Sequence, residues 1–251
     1  MFVEFLKKQI FLVKRYILDS VAGFVIIGFL FVLIYLGYGV TTNNYFAQDG
    51  KEALIISYIF WVLSISAFQT VADSIIEESR EGTIQTLFMS KHNIVYLMIM
   101  RTLAGAVLDM ILIYIMLFFC CLVTNTFFHI NIIVLTLILA VSFTGFWGIG
   151  FLIGGVAILH RKVENLSQIL TFLFMGIMII PLNASRILML IPGVAGRQFL
   201  NLLITEGGLQ SLDVTDYVLF SGGNLFLMIA GIVWFERCIK RAMDKGCIGY
   251  I

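Results

Sequence analysis

The sequence is poor in charged residues. Lysine, arginine, aspartate and glutamate make up 12% of the 251 residues, whereas 61% are hydrophobic. A soluble core cannot bury so much apolar surface, so lipid must be the solvent for most of the chain. The formal net charge of +1 gives no reason to expect a nucleic-acid partner. The composition therefore predicts an integral membrane protein that binds no nucleic acid.

Motifs for catalysis, metal binding and nucleotide binding are also missing. The sequence has no H-E-x-x-H, no G-x-S-x-G and no G-x-x-x-x-G-K-[ST] stretch. None of the four cysteines belongs to a C-x-x-C pair, and the three histidines are far apart, so we expect free thiols and no metal site. The chain is predicted to be no enzyme and to hold no cofactor of its own.

Long apolar runs are what the sequence has instead. A hydrocarbon core of about 30 Å needs roughly 20 apolar residues in a helix. We predict six transmembrane helices, at 21–40, 53–72, 102–123, 130–159, 166–180 and 218–235. Segment 181–216 holds two shorter apolar runs broken by Pro192 and glycines, which favours two re-entrant extracellular helices over a collapsed external loop. The predicted fold is an all-α polytopic membrane protein with a single transmembrane domain, 1–251.

The positive charges predict how this domain is oriented. Of the sixteen lysines and arginines, only Lys51, Arg186 and Arg197 fall in the loops on one side. Cytoplasmic loops retain positive charge, so the opposite side, with both termini and loop 73–101, is predicted to face the cytoplasm. Residues 1–19 have charged and apolar side chains on opposite helix faces. This pattern predicts an interfacial helix on the cytoplasmic membrane surface, the alternative being a basic leader that only fixes topology.

Few polar side chains lie inside the predicted spans. Asp109 is the ionisable residue well inside one, and such residues usually face a partner or a wet cavity. The second span carries small polar side chains that can line a path or bond neighbouring helices. The candidates for a translocation path are therefore Ser57, Ser64, Ser66, Gln69 and Asp109, with Thr70 beside them. A structural hydrogen bond is the alternative role for each.

The loop between the second and third predicted spans carries the most specific pattern. A short helix from Ser74 to Glu81 would be stopped by Gly82, and Thr83 can cap the next helix, which predicts a rigid cytoplasmic elbow. The stretch matches an E-R-E-x-G-T-x-x-x-L-like motif at Glu78, Arg80, Glu81, Gly82, Thr83 and Leu87. At these residues the chain resembles the permease subunits of type 2 ATP-binding-cassette (ABC-2) transporters. The interfacial helix, six spans and re-entrant pair fit the same family outline.

The resemblance implies an exporter permease in the bacterial cytoplasmic membrane. It implies pairing with a second permease subunit, identical or closely related, and with two copies of an ABC ATPase subunit that binds ATP and magnesium. It further implies a path at the permease interface, lined mainly by the first, second and fifth spans. The coupling residues carried over from the family are Glu77, Glu78, Arg80, Glu81, Gly82 and Thr83.

The cargo is predicted from the character of the path candidates. They are neutral or aromatic with few charges, which favours an amphipathic or hydrophobic cargo such as a peptide, a drug or a lipid-like molecule. Permeases for sodium or polysaccharide are alternatives within the family. A secondary carrier that uses Asp109 as its proton or ion site is the alternative from another class, although no inverted repeat is visible. A membrane anchor without transport activity would not need the elbow.

Overall fold

The structure, a computed structural model, describes the backbone of residues 2–41, 48–80, 93–126, 131–159, 164–179, 191–205 and 214–244. These ranges are helical almost throughout, which confirms the all-α prediction. The helices are α1 (Phe2–Arg15), α2 (Ile17–Thr41), α3 (Gln48–Arg80), α4 (Ile94–Thr124), α5 (Ile132–Leu159), α6 (Glu164–Ile179), α7 (Val194–Thr205) and α8 (Val214–Asp244).

Five of the described helices, α2, α3, α4, α5 and α8, are long and apolar enough to cross a membrane. The chain is therefore a multi-pass membrane protein. The predicted span 166–180 coincides with α6, which at 16 residues is shorter than these five helices. The sixth crossing stays a prediction.

Helix α3 extends well beyond the predicted span 53–72. It runs without interruption to Arg80, so residues from Ser74 onward continue the spanning helix and do not form a separate short one. The physical reason is the absence of glycine and proline between Ala53 and Arg80, since these are the residues that break helices. Loop 73–101 is likewise helical at its far end, where Asn93 caps α4 by accepting a hydrogen bond from the Val95 amide at 3.1 Å.

Helix α1 is followed almost directly by α2, with Tyr16 between them. None of the α1 side chains is buried, and Phe11 is 63% exposed. The helix packs against α4 and contacts α2. An apolar helix face that the protein itself leaves uncovered agrees with a position at a membrane surface.

The core is organised around α3, which packs against α4, α5, α6 and α7. The short helix α7 is enclosed by protein, because Val194, Ala195 and Leu200 are buried and the Phe199 ring stacks on Phe220 of α8 at 4.9 Å between centroids. Backbone that does not cross a bilayer is tolerated at membrane depth when protein covers it, so α7 meets the condition for a re-entrant helix. Residues 181–190, where the first of the two re-entrant helices was expected, lie outside the described residues.

Candidate functional site

A cavity of about 380 Å³ lies between α2, α3 and α4. One part of its wall is apolar and includes Phe24, Ile65 and Met116. The polar part is formed by Asp19 and Ser20 of α2, by Ser66, Gln69, Thr70 and Asp73 of α3, and by Asp109 of α4. A mostly apolar cavity with a few converging polar groups is the usual form of a small-molecule site.

Helical periodicity explains why these residues meet. Residues three, four and seven positions apart lie on one helix face. On α3 the polar stripe runs from Ser66 through Gln69 and Thr70 to Asp73, and on α4 Asp109 is followed on the same face by apolar side chains up to Met116. On each of these two helices, the side chains that line the cavity therefore form one continuous row along a single helix face.

Asp109 is half-buried and has weak hydrogen bonding. Its Oδ2 atom lies 3.5 Å from the Thr70 hydroxyl, which is long for a bond to a carboxylate. That hydroxyl has one proton and already donates it to the Ser66 carbonyl oxygen at 2.6 Å. The Ser66 hydroxyl lies next to Asp109 as well, but its oxygen is buried without a hydrogen bond of normal geometry. The hydroxyls of Thr70 and Ser66 are thus the described donors beside the carboxylate, and neither makes a short hydrogen bond to it.

The predicted path residues separate into two groups. Ser66, Gln69 and Asp109 line the cavity together, and Gln69 also reaches α6, donating from Nε2 to the Thr171 hydroxyl at 3.2 Å. Ser64 is fully buried and donates to the Trp61 carbonyl at 2.6 Å, so it does not face the cavity.

Ser57 lies nearer the other end of α3 and also stays outside the cavity lining. It donates to the Ala53 carbonyl at 2.8 Å and accepts a hydrogen bond from Nη1 of Arg197 at 3.3 Å. Arg197 belongs to α7 and is itself buried. The two side chains therefore bond α7 to α3, which is a structural contact.

Two acidic residues of the cavity, Asp19 and Asp73, were missed from the sequence. Both are exposed and lie toward the ends of their helices, where carboxylates are ordinary. The available signal was the seven-residue spacing from Ser66 to Asp73, which places Asp73 on the polar face of α3. In the part of the chain that the structure describes, no group of three or more His, Cys, Asp or Glu residues is arranged to hold a metal ion.

The predicted coupling residues fall at the edge of the described chain. Glu77, Glu78 and Arg80 belong to the end of α3, although their side chains are outside the described residues. Glu81, Gly82 and Thr83 lie outside the described residues altogether. The sequence matches no protein-family model, no curated protein and no solved structure.

Proposed function

We propose that the chain is the permease subunit of an ATP-driven ABC-2 exporter that moves an amphipathic or hydrophobic cargo out of the cell. In this proposal the chain crosses the membrane six times with both termini in the cytoplasm. It pairs with a second permease, and each permease contacts one copy of an ABC ATPase, which binds ATP and magnesium. One observation carries the proposal: α3 connects the predicted coupling residues Glu77, Glu78 and Arg80 to the cavity in a single unbroken helix.

The length of α3 makes it suited to transmit movement. Its 33 residues correspond to about 50 Å at 1.5 Å per residue, compared with about 30 Å for a hydrocarbon core. The sequence becomes charged at Glu77, Glu78 and Arg80, so in this proposal the end of α3 continues past the hydrocarbon core. A displacement imposed at that end by an ATPase would be carried along a rigid helix to the cavity stripe at Ser66 to Asp73.

The packing around the cavity favours movement at this place. Helix α2, which forms one wall, is the least buried of the five spanning helices, and α3 is the most buried. The Tyr58 hydroxyl of α3 donates to the Ile27 carbonyl of α2 and is one of the few contacts between the two helices. In the proposed cycle the ATPase moves α3 relative to α2, and the cavity between them changes its opening.

A secondary carrier is the second candidate, and one observation favours it. Asp19 lines the same cavity as Asp109, so the cavity offers two carboxylates to a proton or a small cation. Ionisable residues inside membrane-spanning helices mark ion paths in many carriers. A carrier would transport with an ion gradient alone, whereas the exporter would need ATP.

The proposed coupling is tested by inverting one charge of the motif. Like charges opposed at an interface cost several kcal/mol, so Glu81→Lys should weaken ATPase association and reduce coupled ATP hydrolysis. The full chain is purified from its native membranes together with its ATPase and reconstituted in liposomes. Glu236→Lys, a charge inversion on α8, is the matched control and should retain both properties. Full association and hydrolysis in Glu81→Lys, or transport that needs only an ion gradient, would contradict the proposal.

A further inference from the structure

We propose that the cavity between α2, α3 and α4 binds an organic cation with an apolar body. Calling this cation the cargo rests on the proposed exporter function, but the binding itself does not. The inference comes from the charge of the cavity, the bonding state of Asp109 and the character of the remaining wall.

The first step is the charge of the lining. Asp19 and Asp109 contribute carboxylates to the wall, and none of the described lining residues is a lysine, arginine or histidine. A carboxylate inside a membrane domain is expensive unless a positive group or water compensates it. The lining of the cavity itself offers Asp109 no positive group.

The second step is the bonding state of Asp109. The nearest hydroxyl, that of Thr70, uses its proton for the Ser66 carbonyl, so the contact at 3.5 Å adds little. The buried Ser66 hydroxyl next to it makes no hydrogen bond of normal geometry. Two polar groups on facing helices are therefore poorly satisfied at the cavity wall, and a ligand with a positive group would satisfy the carboxylate.

The third step separates an organic cation from a metal ion. The described residues contain no cluster of ligands arranged for a metal. The wall beside Asp109 is apolar and includes Phe24, Ile113 and Met116. The volume of the cavity, about 380 Å³, far exceeds the volume of a single metal ion. Small-molecule sites commonly measure about 300 to 1,000 Å³. A cation that carries an apolar body uses both the charge and the apolar wall.

The test uses tetraphenylphosphonium as the cation and triphenylphosphine oxide as an uncharged comparison. Equilibrium dialysis with the full chain in detergent measures binding of each at constant ionic strength. We expect the cation to bind and the uncharged compound to bind more weakly. Asp109→Asn keeps the shape of the side chain but removes its charge, and it should lower the affinity for the cation by about tenfold or more. Asp109→Glu should keep most of that affinity, and Asp244→Asn, at an exposed carboxylate outside the cavity, should change nothing.

A second variant keeps the test decisive if Asp109→Asn does not fold. Leu112→Lys places a positive side chain three residues from Asp109 on the same face of α4, where the two can pair. This tethered cation should compete with tetraphenylphosphonium and abolish its binding. Equal binding of the charged and uncharged compounds, or unchanged cation binding in either variant, would overturn the inference. ATPase association, measured separately, reports on the exporter proposal alone, so failure of one is distinguishable from failure of the other.

Discussion

Helices α5 and α8 meet at backbone contact, whereas α2, α3 and α4 enclose a cavity. At the first place Gly148 and Gly231 face each other, and a methyl group on either would overlap the opposite backbone. At the second place Gly23 has open space beside it, because a methyl group added there would have no neighbouring atom within 4 Å. Close backbone approach maximises van der Waals contact, which is the main force between helices in lipid. The contrast indicates a rigid scaffold at α5 and α8 and an adaptable region at α2.

The glycines of α5 explain how the scaffold is built on two sides. Gly150 and Gly154 lie against Val71 and Ile75 of α3, and Gly148 lies against α8. One helix can therefore approach two neighbours closely because small residues occupy two of its faces. None of the described glycines of α2 meets the backbone of a neighbouring helix in this way, and the cavity forms beside this helix.

The largest expected effect comes from breaking the tight contact. Gly231→Ala places a methyl group against the Gly148 carbonyl, so one backbone must shift. Overpacking of this kind typically costs about 1–3 kcal/mol. Gly222→Ala on the same helix is the matched control, because nothing lies within 4 Å of the added carbon. Thermal unfolding of the detergent-purified chain should show a lowered midpoint for the first variant only. Equal midpoints would mean that α5 and α8 are not in backbone contact.

The next effect concerns binding and not stability. Gly23→Leu adds a larger side chain than the previous variant, but it projects into open space at the cavity wall, so the free energy of unfolding should hardly change. The same side chain fills part of the cavity and should remove most of the affinity for tetraphenylphosphonium. Gly176→Leu on α6 also enters open space, away from the cavity lining, and should leave binding intact. A strong loss of stability in Gly23→Leu would show that α2 is packed as tightly as α8.

The sequence predicted the positions of the helices along the chain better than it predicted which helices pack against each other. Apolar runs and helix breakers are local features, so the spans at α2 and α5 lie within a few residues of the observed helices, whereas α4 begins eight residues before its predicted span 102–123. The sequence contains a G-x-x-x-G pair at Gly150 and Gly154, a spacing that favours close helix approach, but the pair does not identify the partner helix. Partner choice depends on contacts between residues far apart in the chain, which a single sequence does not display.

The cavity was harder to predict for the same reason. Asp109 stood out because a charge in the middle of an apolar run is rare. Asp19 and Asp73 look like ordinary residues near helix ends until α2, α3 and α4 are brought together. Ser64 and Ser57 show the converse, because polarity within a span does not indicate which way a side chain faces. Both lie outside the cavity lining and bond backbone carbonyls of their own helix.

The smallest expected effect concerns the contact between α3 and α6, which combines packing with a hydrogen bond. Phe68 packs on Phe174 with ring centroids 5.9 Å apart, and Gln69 donates to the Thr171 hydroxyl at 3.2 Å. Interhelical hydrogen bonds in membrane proteins contribute about 0.6 kcal/mol on average, because the unfolded chain in lipid finds other partners. A double-mutant cycle of Gln69→Leu and Thr171→Val, measured as the free energy of unfolding, should therefore give a coupling of about this size.

The matched control for this cycle pairs Gln69→Leu with Thr144→Val. The Thr144 hydroxyl donates to the Val141 carbonyl within α5 at 2.7 Å, so its removal should be additive with the loss of Gln69. A coupling of zero for Gln69 and Thr171 would mean that packing alone joins α3 to α6. A coupling above about 2 kcal/mol, beyond the usual range for such bonds, would instead place this polar contact among the main supports of the α3 position. In that case α3 would be fixed at the level of the cavity, and the movement along α3 assumed for the exporter would have to occur elsewhere.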